Sequence, residues 1–300
     1  MPLDGTLALQ VFLRLEAAFA LITVLVALLC VVQRPGAQAR SEYWLKLGTY
    51  YLVVHAFLTL LWLGGWWIRL GLAVIALAVC RELLVALASE GRRGAYEWVA
   101  YAATAALVLC APGPEPAIGI FFAALLALLS LPVLRRETAH VHSRIASALL
   151  ATSVAGGLTS VLLRLREAHP GAAVFLYLVV VLGDAFTQLA GQSFGRLPWF
   201  QAISPRKTLE GALGGLLACL LGAAAFRMLL PAPFPLVLAL GALIAFSGNL
   251  GDLAFSALKR STGRKDFGTL LPAHGGALDR FDSLLFSGPV FAAAIRYLDL

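Results

Sequence analysis

The segment Phe175–Gly191, FLYLVVVLGDAFTQLAG, is almost entirely apolar and contains one acid, Asp184. It lies inside an apolar run over residues 172–191, and about 20 such residues in helical conformation cross a hydrocarbon layer ~30 Å thick. The pattern therefore predicts a membrane helix. An ionisable side chain inside such a helix is costly to bury, so Asp184 is a candidate functional residue.

The rest of the chain repeats this apolar character. Of its 300 residues, 60% are hydrophobic and 13% are charged, and the mean hydropathy is +0.87. A soluble domain does not need so much apolar surface, and the period-2 alternation of a membrane barrel is missing. We predict an all-α polytopic integral membrane protein with about ten spans, near residues 8–32, 47–64, 66–89, 95–112, 115–134, 146–165, 172–191, 210–230, 234–258 and 281–298.

The basic residues predict the orientation. Most Lys and Arg residues fall in loops that follow odd-numbered spans, as Arg92, Arg135 and Lys259 do. By the positive-inside rule these loops face the cytoplasm and both termini lie outside, which suits a bacterial inner membrane. The first segment lacks the basic start of a cleaved signal, so we expect it to stay. The net charge of +7 suits anionic lipid headgroups or nucleotide phosphates, although orientation alone also explains it.

Composition suggests two regions. Residues 1–170 form N-terminal transmembrane helices with few polar groups, whereas residues 171–300 form a C-terminal region with cytoplasmic loops 192–209 and 259–280. In the first region, Arg81–Glu82 is expected to lie near a helix end and to extend its charges towards water. The cysteines lie in apolar runs, without metal-site spacing, and are interpreted as small core residues: Cys30, Cys80, Cys110 and Cys219.

The first cluster that indicates chemistry lies in SGNLGDLAFSALKR, residues 247–260. On a helix, Asp252, Ser256 and Lys259–Arg260 share one face. A carboxylate and a hydroxyl are oxygen ligands that Mg²⁺ accepts, and the remaining coordination positions usually hold waters and substrate phosphates. An ordinary ion pair with basic anchors at a helix end explains this segment equally well.

The second cluster lies in HGGALDRFDS, residues 274–283. Asp279 and Asp282 are three residues apart and point the same way at the start of the last helix, where acids also act as caps. With Asp252 and the surrounding cations they fit metal-assisted phosphoryl or nucleotidyl transfer. Gly275 and Gly276 would let the backbone approach a phosphate, and His274 is a candidate acid or base.

The third cluster is ISPRKTLEGALGG, residues 203–215. Ser204 before Pro205 predicts the start of a helix, and Lys207 near that helix start suits an anionic phosphate. Gly211 and Gly215 have the small-xxx-small spacing that favours close packing of membrane helices.

Two of these segments resemble a known family. SALKRSTGRKDFGTLLPAHGGALDRFD, residues 256–282, closely resembles the signature of the phosphatidate cytidylyltransferase (CDP-diacylglycerol synthase) family, and SPRKTLEG, residues 204–211, resembles a second motif of that family. Asp184 falls where the family has an Asp near the end of the preceding span. The resemblance covers roughly residues 170–300, and it implies that CTP and phosphatidate react to CDP-diacylglycerol and pyrophosphate with Mg²⁺.

Carried over position by position, the resemblance implies roles for each matching residue. The implied metal ligands are Asp252, Ser256, Asp279 and Asp282. The implied catalytic set is Asp252, Lys259, Arg260, Lys265, Asp266, His274, Asp279, Arg280 and Asp282, and the implied substrate-binding set is Asp184, Ser204, Lys207, Glu210, Gly275 and Gly276. The expected partners are CTP, phosphatidate or a related lipid phosphate, and membrane lipids, with no nucleic acid; a second, monovalent cation and a homodimer are compatible with the resemblance.

The chain departs from the family pattern at three positions. Phe255 stands where the family usually has Glu, and Gln188 and Gln192 fall in the motif that follows Asp184. These departures affect the substrate more than the reaction type. The alternatives are a CTP-dependent transferase or kinase acting on another lipid or polyprenyl phosphate, and a transporter or non-catalytic lipid-binding relative.

Overall fold

A computed structural model describes residues 5–33, 36–87, 94–110, 113–268 and 275–300 of the chain. The described residues form helices joined by short connections, and the β pairing within them is one isolated antiparallel bridge between Pro198 and Thr208. The helices are α1 Gly5–Gln33, α2 Ala37–Leu63, α3 Gly65–Leu87, α4 Ala95–Leu109, α5 Pro114–Arg135, α6 Val141–Thr152, α7 Thr159–Ala168, α8 Pro170–Phe194, α9 Leu209–Ala225, α10 Phe234–Ser261 and α11 Leu278–Tyr297.

These helices match the ten spans expected from hydropathy. A π-helical segment, Ser153–Leu158, joins α6 to α7, so the two form one continuous helix around the sixth expected span. Within the described ranges, six helices are long and apolar enough to cross a membrane, and three shorter apolar helices accompany them. The chain is an all-α polytopic membrane protein, as predicted.

The segment that opened the sequence analysis lies at the centre of the bundle. Every residue of α8 from Ala172 to Gly183 is buried, because other helices surround this part of α8 on all sides. Phe175 stacks on Phe291 of α11, and the Tyr177 hydroxyl donates to the Val54 carbonyl of α2. The burial ends at Asp184, which is exposed.

Glycines allow α8 and α9 to approach each other closely. A Cβ on Gly211 would lie 2.9 Å from the Thr187 carbonyl oxygen, and a Cβ on Gly215 would overlap the Thr187 hydroxyl. The packing role predicted for these two glycines is confirmed. It holds the loop between α8 and α9 in a fixed position at the ends of both helices.

The junction between the end of α2 and the start of α3 is stabilised by two glycines and by a buried cation. Gly64 and Gly65 both have positive φ, which residues with a Cβ adopt at a cost. The Arg166 guanidinium, from α7, donates to the Leu61 and Trp62 carbonyls at the end of α2. These carbonyls have no partner within the helix, so the contact satisfies them.

Two of the expectations from the sequence differ from the structure or stay open. Cys80 and Cys219 are buried as predicted, but Cys110 is exposed because α4 ends just before it. The division at residue 170 stays a prediction: α7 packs against α8 and α11 across that position.

Candidate active site

Basic segments meet at one end of the bundle. Arg264, after α10, donates to the Val85 carbonyl near the end of α3, with an N–O distance of 3.1 Å. Arg260 of α10 reaches the Ile203 carbonyl in the loop between α8 and α9, at 3.4 Å. The tertiary structure therefore places the α8–α9 loop, the end of α10 and the end of α3 together.

The loop between α8 and α9 folds back on itself. The Trp199 amide donates to the Lys207 carbonyl, and the Leu209 amide donates to the Leu197 carbonyl, both at 2.9 Å. Ser204 lies in the turn at the tip, where its amide donates to the Phe200 carbonyl. The predicted helix start at Ser204 is wrong: α9 begins at Leu209.

Thr208 caps α9 instead. Its hydroxyl accepts the Gly211 amide at 3.2 Å. Residues 204–207 are held in the turn by loop hydrogen bonds, so the first residue free to cap the helix is Thr208. The Glu210 carboxylate accepts the Leu197 amide with both oxygens, at 3.1 and 3.2 Å, and so braces the base of this loop.

The folded loop places the Lys207 side chain against Asp252 of α10. The Lys207 ammonium lies 2.8 Å from Asp252 Oδ2, and the Lys207 side chain is 12% exposed. The contact is an ion pair rather than an aligned hydrogen bond. Asp252 Oδ1 accepts the Ser256 hydroxyl at 3.2 Å, one helical turn further on. The shared face predicted for Asp252 and Ser256 is confirmed, and Lys207 is added from a different element.

Two further acids lie beside this pair. Asp184 of α8 accepts the Ser283 hydroxyl of α11 at 3.0 Å. Asp282 is 7% exposed, and its Oδ1 accepts the Ser283 amide at 2.8 Å. Ser283 thus links the two acids, because its hydroxyl donates to Asp184 and its amide donates to Asp282.

Asp279 has a different environment from the other acids. Its Oδ1 accepts the Lys259 ammonium at 2.9 Å, and its Oδ2 accepts the Phe267 and Gly276 amides at 3.0 and 2.9 Å. Its side chain is 4% exposed. In this structure Asp279 binds the chain itself and ties the segment after α10 to the start of α11.

The glycines before α11 also have partners within the protein. Gly275 has φ +79°, and a Cβ there would lie 2.8 Å from Asp279 Oδ2. A Cβ on Gly276 would lie 2.5 Å from Glu82 Oε1. We predicted that these glycines leave room for a phosphate. Side-chain carboxylates fill that room in the structure.

Glu82 is the residue that sequence reasoning misjudged. Its expected extension towards water is wrong, because the side chain is 6% exposed and accepts the Ala277 and Leu278 amides at 2.8 and 2.9 Å. Its position inside an apolar helix was the available signal. Its partners lie almost 200 residues away, and no local pattern points to them.

The remaining predicted residues fall into three groups. The side chains of Arg260, Lys265, Asp266 and Arg280 are exposed, and the charge of Arg280 acts on Asp184. Phe255 is buried in the core, whereas Gln188 and Gln192 are exposed near the end of α8. His274 lies outside the described residues.

The donor atoms at this site suit Mg²⁺, although the described residues contain no group of three His, Cys, Asp or Glu side chains that could hold a metal. Mg²⁺ usually needs only one or two carboxylates, with waters and substrate phosphates completing its coordination. Asp252, with a side chain that is 36% exposed, and Ser256 offer such oxygens. Asp279 suits the ion less, because its oxygens already accept three donors.

The fold and this site define a class: a polytopic membrane protein with acids and cations gathered at one end of its helices. The particular family follows from comparison with known proteins. The sequence model of the cytidylyltransferase family matches residues 44–298, and the chain belongs to this family.

Similar curated proteins match a shorter part of the chain. A phosphatidate cytidylyltransferase of Aquifex aeolicus is 38% identical over 130 residues, which are 43% of this chain and 49% of that protein. A phosphatidate cytidylyltransferase of Bacillus subtilis is 42% identical over 123 residues, 40% of this chain and 46% of that protein. The uncharacterized protein YnbB of Escherichia coli is 44% identical over 130 residues, 42% of this chain and 44% of that protein. The chain spans about half the length of the curated relatives it matches.

Proposed function

We propose that the protein transfers CMP from CTP to phosphatidate, forming CDP-diacylglycerol and pyrophosphate. The observation that supports this most is the ion pair between Lys207 and Asp252, which joins the recognised motif at residues 204–211 to the helix face of Asp252 and Ser256, beside the exposed Asp184. The similarity to proteins named phosphatidate cytidylyltransferase supports the same reaction.

The reaction requires in-line displacement at phosphorus. A phosphate oxygen of the lipid attacks the α-phosphorus of CTP, the bond from the α-phosphorus to the bridging oxygen breaks, and pyrophosphate leaves with that oxygen. No covalent enzyme intermediate is needed. Positioning of the two substrates and neutralisation of their charge supply most of the rate enhancement.

The cations and acids have separate roles in this proposal. Lys207, Lys259, Arg260, Lys265 and Arg280 bind and neutralise phosphate oxygens. Asp252, Ser256 and Asp282 would hold Mg²⁺, and Asp279 contributes chiefly by fixing Lys259. When bound, Mg²⁺ would balance the charge of the triphosphate and of the leaving pyrophosphate. A second, monovalent cation and a homodimer remain predictions.

The site is proposed to face the cytoplasm. The basic segments that meet in the structure are those that the positive-inside rule assigns to that side. A lipid phosphate in the cytoplasmic leaflet would then reach the same end of the helices as soluble CTP, which suits a bacterial inner membrane.

A labelled-CTP assay tests the reaction. Purified protein in lipid nanodiscs receives Mg²⁺, a panel of lipid phosphates, and CTP labelled at either the α- or the γ-phosphorus. We expect the α-label in the lipid product and the γ-label in pyrophosphate, with phosphatidate the best acceptor. The Asp252→Asn variant should be inactive, whereas Asp299→Asn, in the exposed C-terminal turn, should match the wild type.

Other label distributions would contradict the proposal. Transfer of the γ-label to lipid with release of CDP would identify a CTP-dependent kinase. Failure of every CTP and lipid-phosphate pair, together with uptake of an ion or lipid into proteoliposomes, would identify a transporter.

A further inference from the structure

Glu82 lies in α3, outside both recognised motifs, and is buried beside the site. It is separated from its hydrogen-bond donors, the Ala277 and Leu278 amides, by 195 and 196 residues. A buried carboxylate in a membrane helix is unfavourable unless it is fully paired. Its partners therefore indicate its role.

Those partners are the amide of Ala277, the residue before α11, and the amide of Leu278, the first residue of α11. Amides at a helix start have no acceptor within the helix and need one from elsewhere. A side chain at Ala277 could not supply it, since a capping side chain accepts the amides of the second and third helical residues. Glu82 supplies both acceptors from another helix, and its negative charge lies at the positive end of the α11 dipole.

The Glu82 carboxylate fits between two glycines that have no side chain to exclude it. A Cβ added to Gly268 or to Gly276 would lie 2.5 Å from Glu82 Oε1. Any larger residue at either position would displace Glu82 or move the turn before α11. The contact therefore depends on the glycines before α11 as well as on Glu82 in α3.

The same turn is fixed by a second carboxylate. Asp279 accepts the Gly276 amide at 2.9 Å, next to the two amides that Glu82 accepts. Three successive amides, from Gly276 to Leu278, are therefore held by two acids. This turn sets the position of Asp279, and of Asp282 one helical turn later.

We propose that Glu82 is a positioning residue for the nucleotidyl transfer: it caps α11 from α3 and so holds Asp279 and Asp282 in register with Lys259 and Asp252. This inference rests on the proposed function. Glu82 contacts backbone amides and acts through the acids of α11, so it has no direct role in bond making or breaking.

Hydrogen exchange tests the cap independently of activity. The protein in nanodiscs is compared as wild type, Glu82→Gln, Glu82→Asp and the control Glu115→Gln, in which an exposed Glu at the start of α5 undergoes the same change. Gln keeps one acceptor oxygen and turns an amide group towards the second donor. We expect exchange in residues 276–283 to accelerate about tenfold or more in Glu82→Gln, because a hydrogen bond to a charged acceptor is lost; a tenfold change corresponds to ~1.4 kcal/mol. The control should exchange as the wild type does.

Kinetics test the positioning role. We expect kcat of Glu82→Gln to fall at least about tenfold and the Mg²⁺ concentration for half-maximal activity to rise, with a smaller change in KM for CTP. Loss of folded protein alone would reduce the amount of active enzyme and leave the Mg²⁺ midpoint unchanged. Glu82→Asp, which keeps the charge on a shorter side chain, should recover part of the activity.

A double-mutant cycle tests the contact itself. Gly276→Ala should lower kcat strongly in the wild-type background, because the new methyl group overlaps the Glu82 carboxylate. In the Glu82→Ala background that carboxylate is absent, so the same substitution should lower kcat much less. Unchanged exchange in Glu82→Gln would overturn the cap. Faster exchange with unchanged kcat and Mg²⁺ midpoint would overturn the positioning role. If the wild type forms no CDP-lipid, the proposed function fails, and the cap still stands or falls on the exchange data.

Discussion

The Lys207 ammonium, in the loop between α8 and α9, lies 2.8 Å from Asp252 Oδ2 in α10. Lys207 belongs to the recognised motif at residues 204–211, Asp252 lies just before the motif at residues 256–282, and the two residues are 45 positions apart. The loop that presents Lys207 is fixed at its base by Glu210 and by the Thr208 cap. Because Asp252 also accepts the hydroxyl of Ser256, the first residue of the second motif, this contact brings the two motifs into one site.

Replacing Lys207 should therefore impair catalysis specifically. Lys207→Met removes a cation that neutralises Asp252 and, in our proposal, the phosphates of CTP. We expect kcat/KM for CTP to fall on the order of 100-fold, the size of effect seen when one charge-stabilising donor is removed. Lys207→Arg should retain part of the activity. The matched control is Arg206→Met, at an exposed neighbour; equal activities of Lys207→Met and Arg206→Met would contradict the assignment.

Asp282→Asn tests the metal assignment. Asn has a similar size but no negative charge, so we expect a loss of several kcal/mol of transition-state stabilisation, roughly a 10³-fold fall in kcat. Steady-state formation of CDP-lipid measures this, and Mg²⁺ titration should show a raised midpoint for any residual activity. Asp299→Asn is the matched control. Full activity of Asp282→Asn would remove Asp282 from the metal ligands.

Asp279→Asn should chiefly lower the stability of the folded protein. The carboxylate accepts two amides and the Lys259 ammonium, and hydrogen bonds to a charged group are worth ~1.5–3 kcal/mol each. Asn cannot satisfy all three donors, because its amide group repels the ammonium. We expect a thermal unfolding midpoint in detergent several degrees below that of Asp299→Asn. An unchanged midpoint together with a raised Mg²⁺ requirement would show that Asp279 binds metal, as the family resemblance implies.

Gly215→Ala tests the close approach of α8 and α9. The new methyl group would overlap the Thr187 hydroxyl, and overpacking of this kind costs about 1–3 kcal/mol. A lower thermal midpoint should be partly restored by adding Thr187→Ala. Gly119→Ala, in α5, is the control, because open space surrounds its Cβ position. Equal midpoints for the two single variants would mean that α8 and α9 do not pack as described.

Much of the fold follows from local sequence properties. Each long apolar run predicts one helix, since a backbone in lipid must satisfy its own hydrogen bonds, and helices cover all ten expected spans. The spacing of Gly211 and Gly215 likewise predicted a close helix contact. The expected span near 210–230 agrees with the start of α9 at Leu209, whereas the Ser204–Pro205 cap signal lies four residues too early, because Ser-Pro is an equally good signal for a turn.

The sequence by itself determined that this is an all-α membrane protein, and its motifs determined which polar residues to suspect. Hydropathy and motif spacing are local quantities, because each depends only on the residues of a single helix or loop. Only the tertiary structure decided how those residues are paired: Lys207 with Asp252, Asp279 with Lys259 and the turn before α11, and Glu82 with the start of α11. Each pairing joins separate elements through a buried or half-buried charge. Such a charge needs a partner to offset the loss of water, and that partner is whichever group the fold brings close, however far away it is in the sequence.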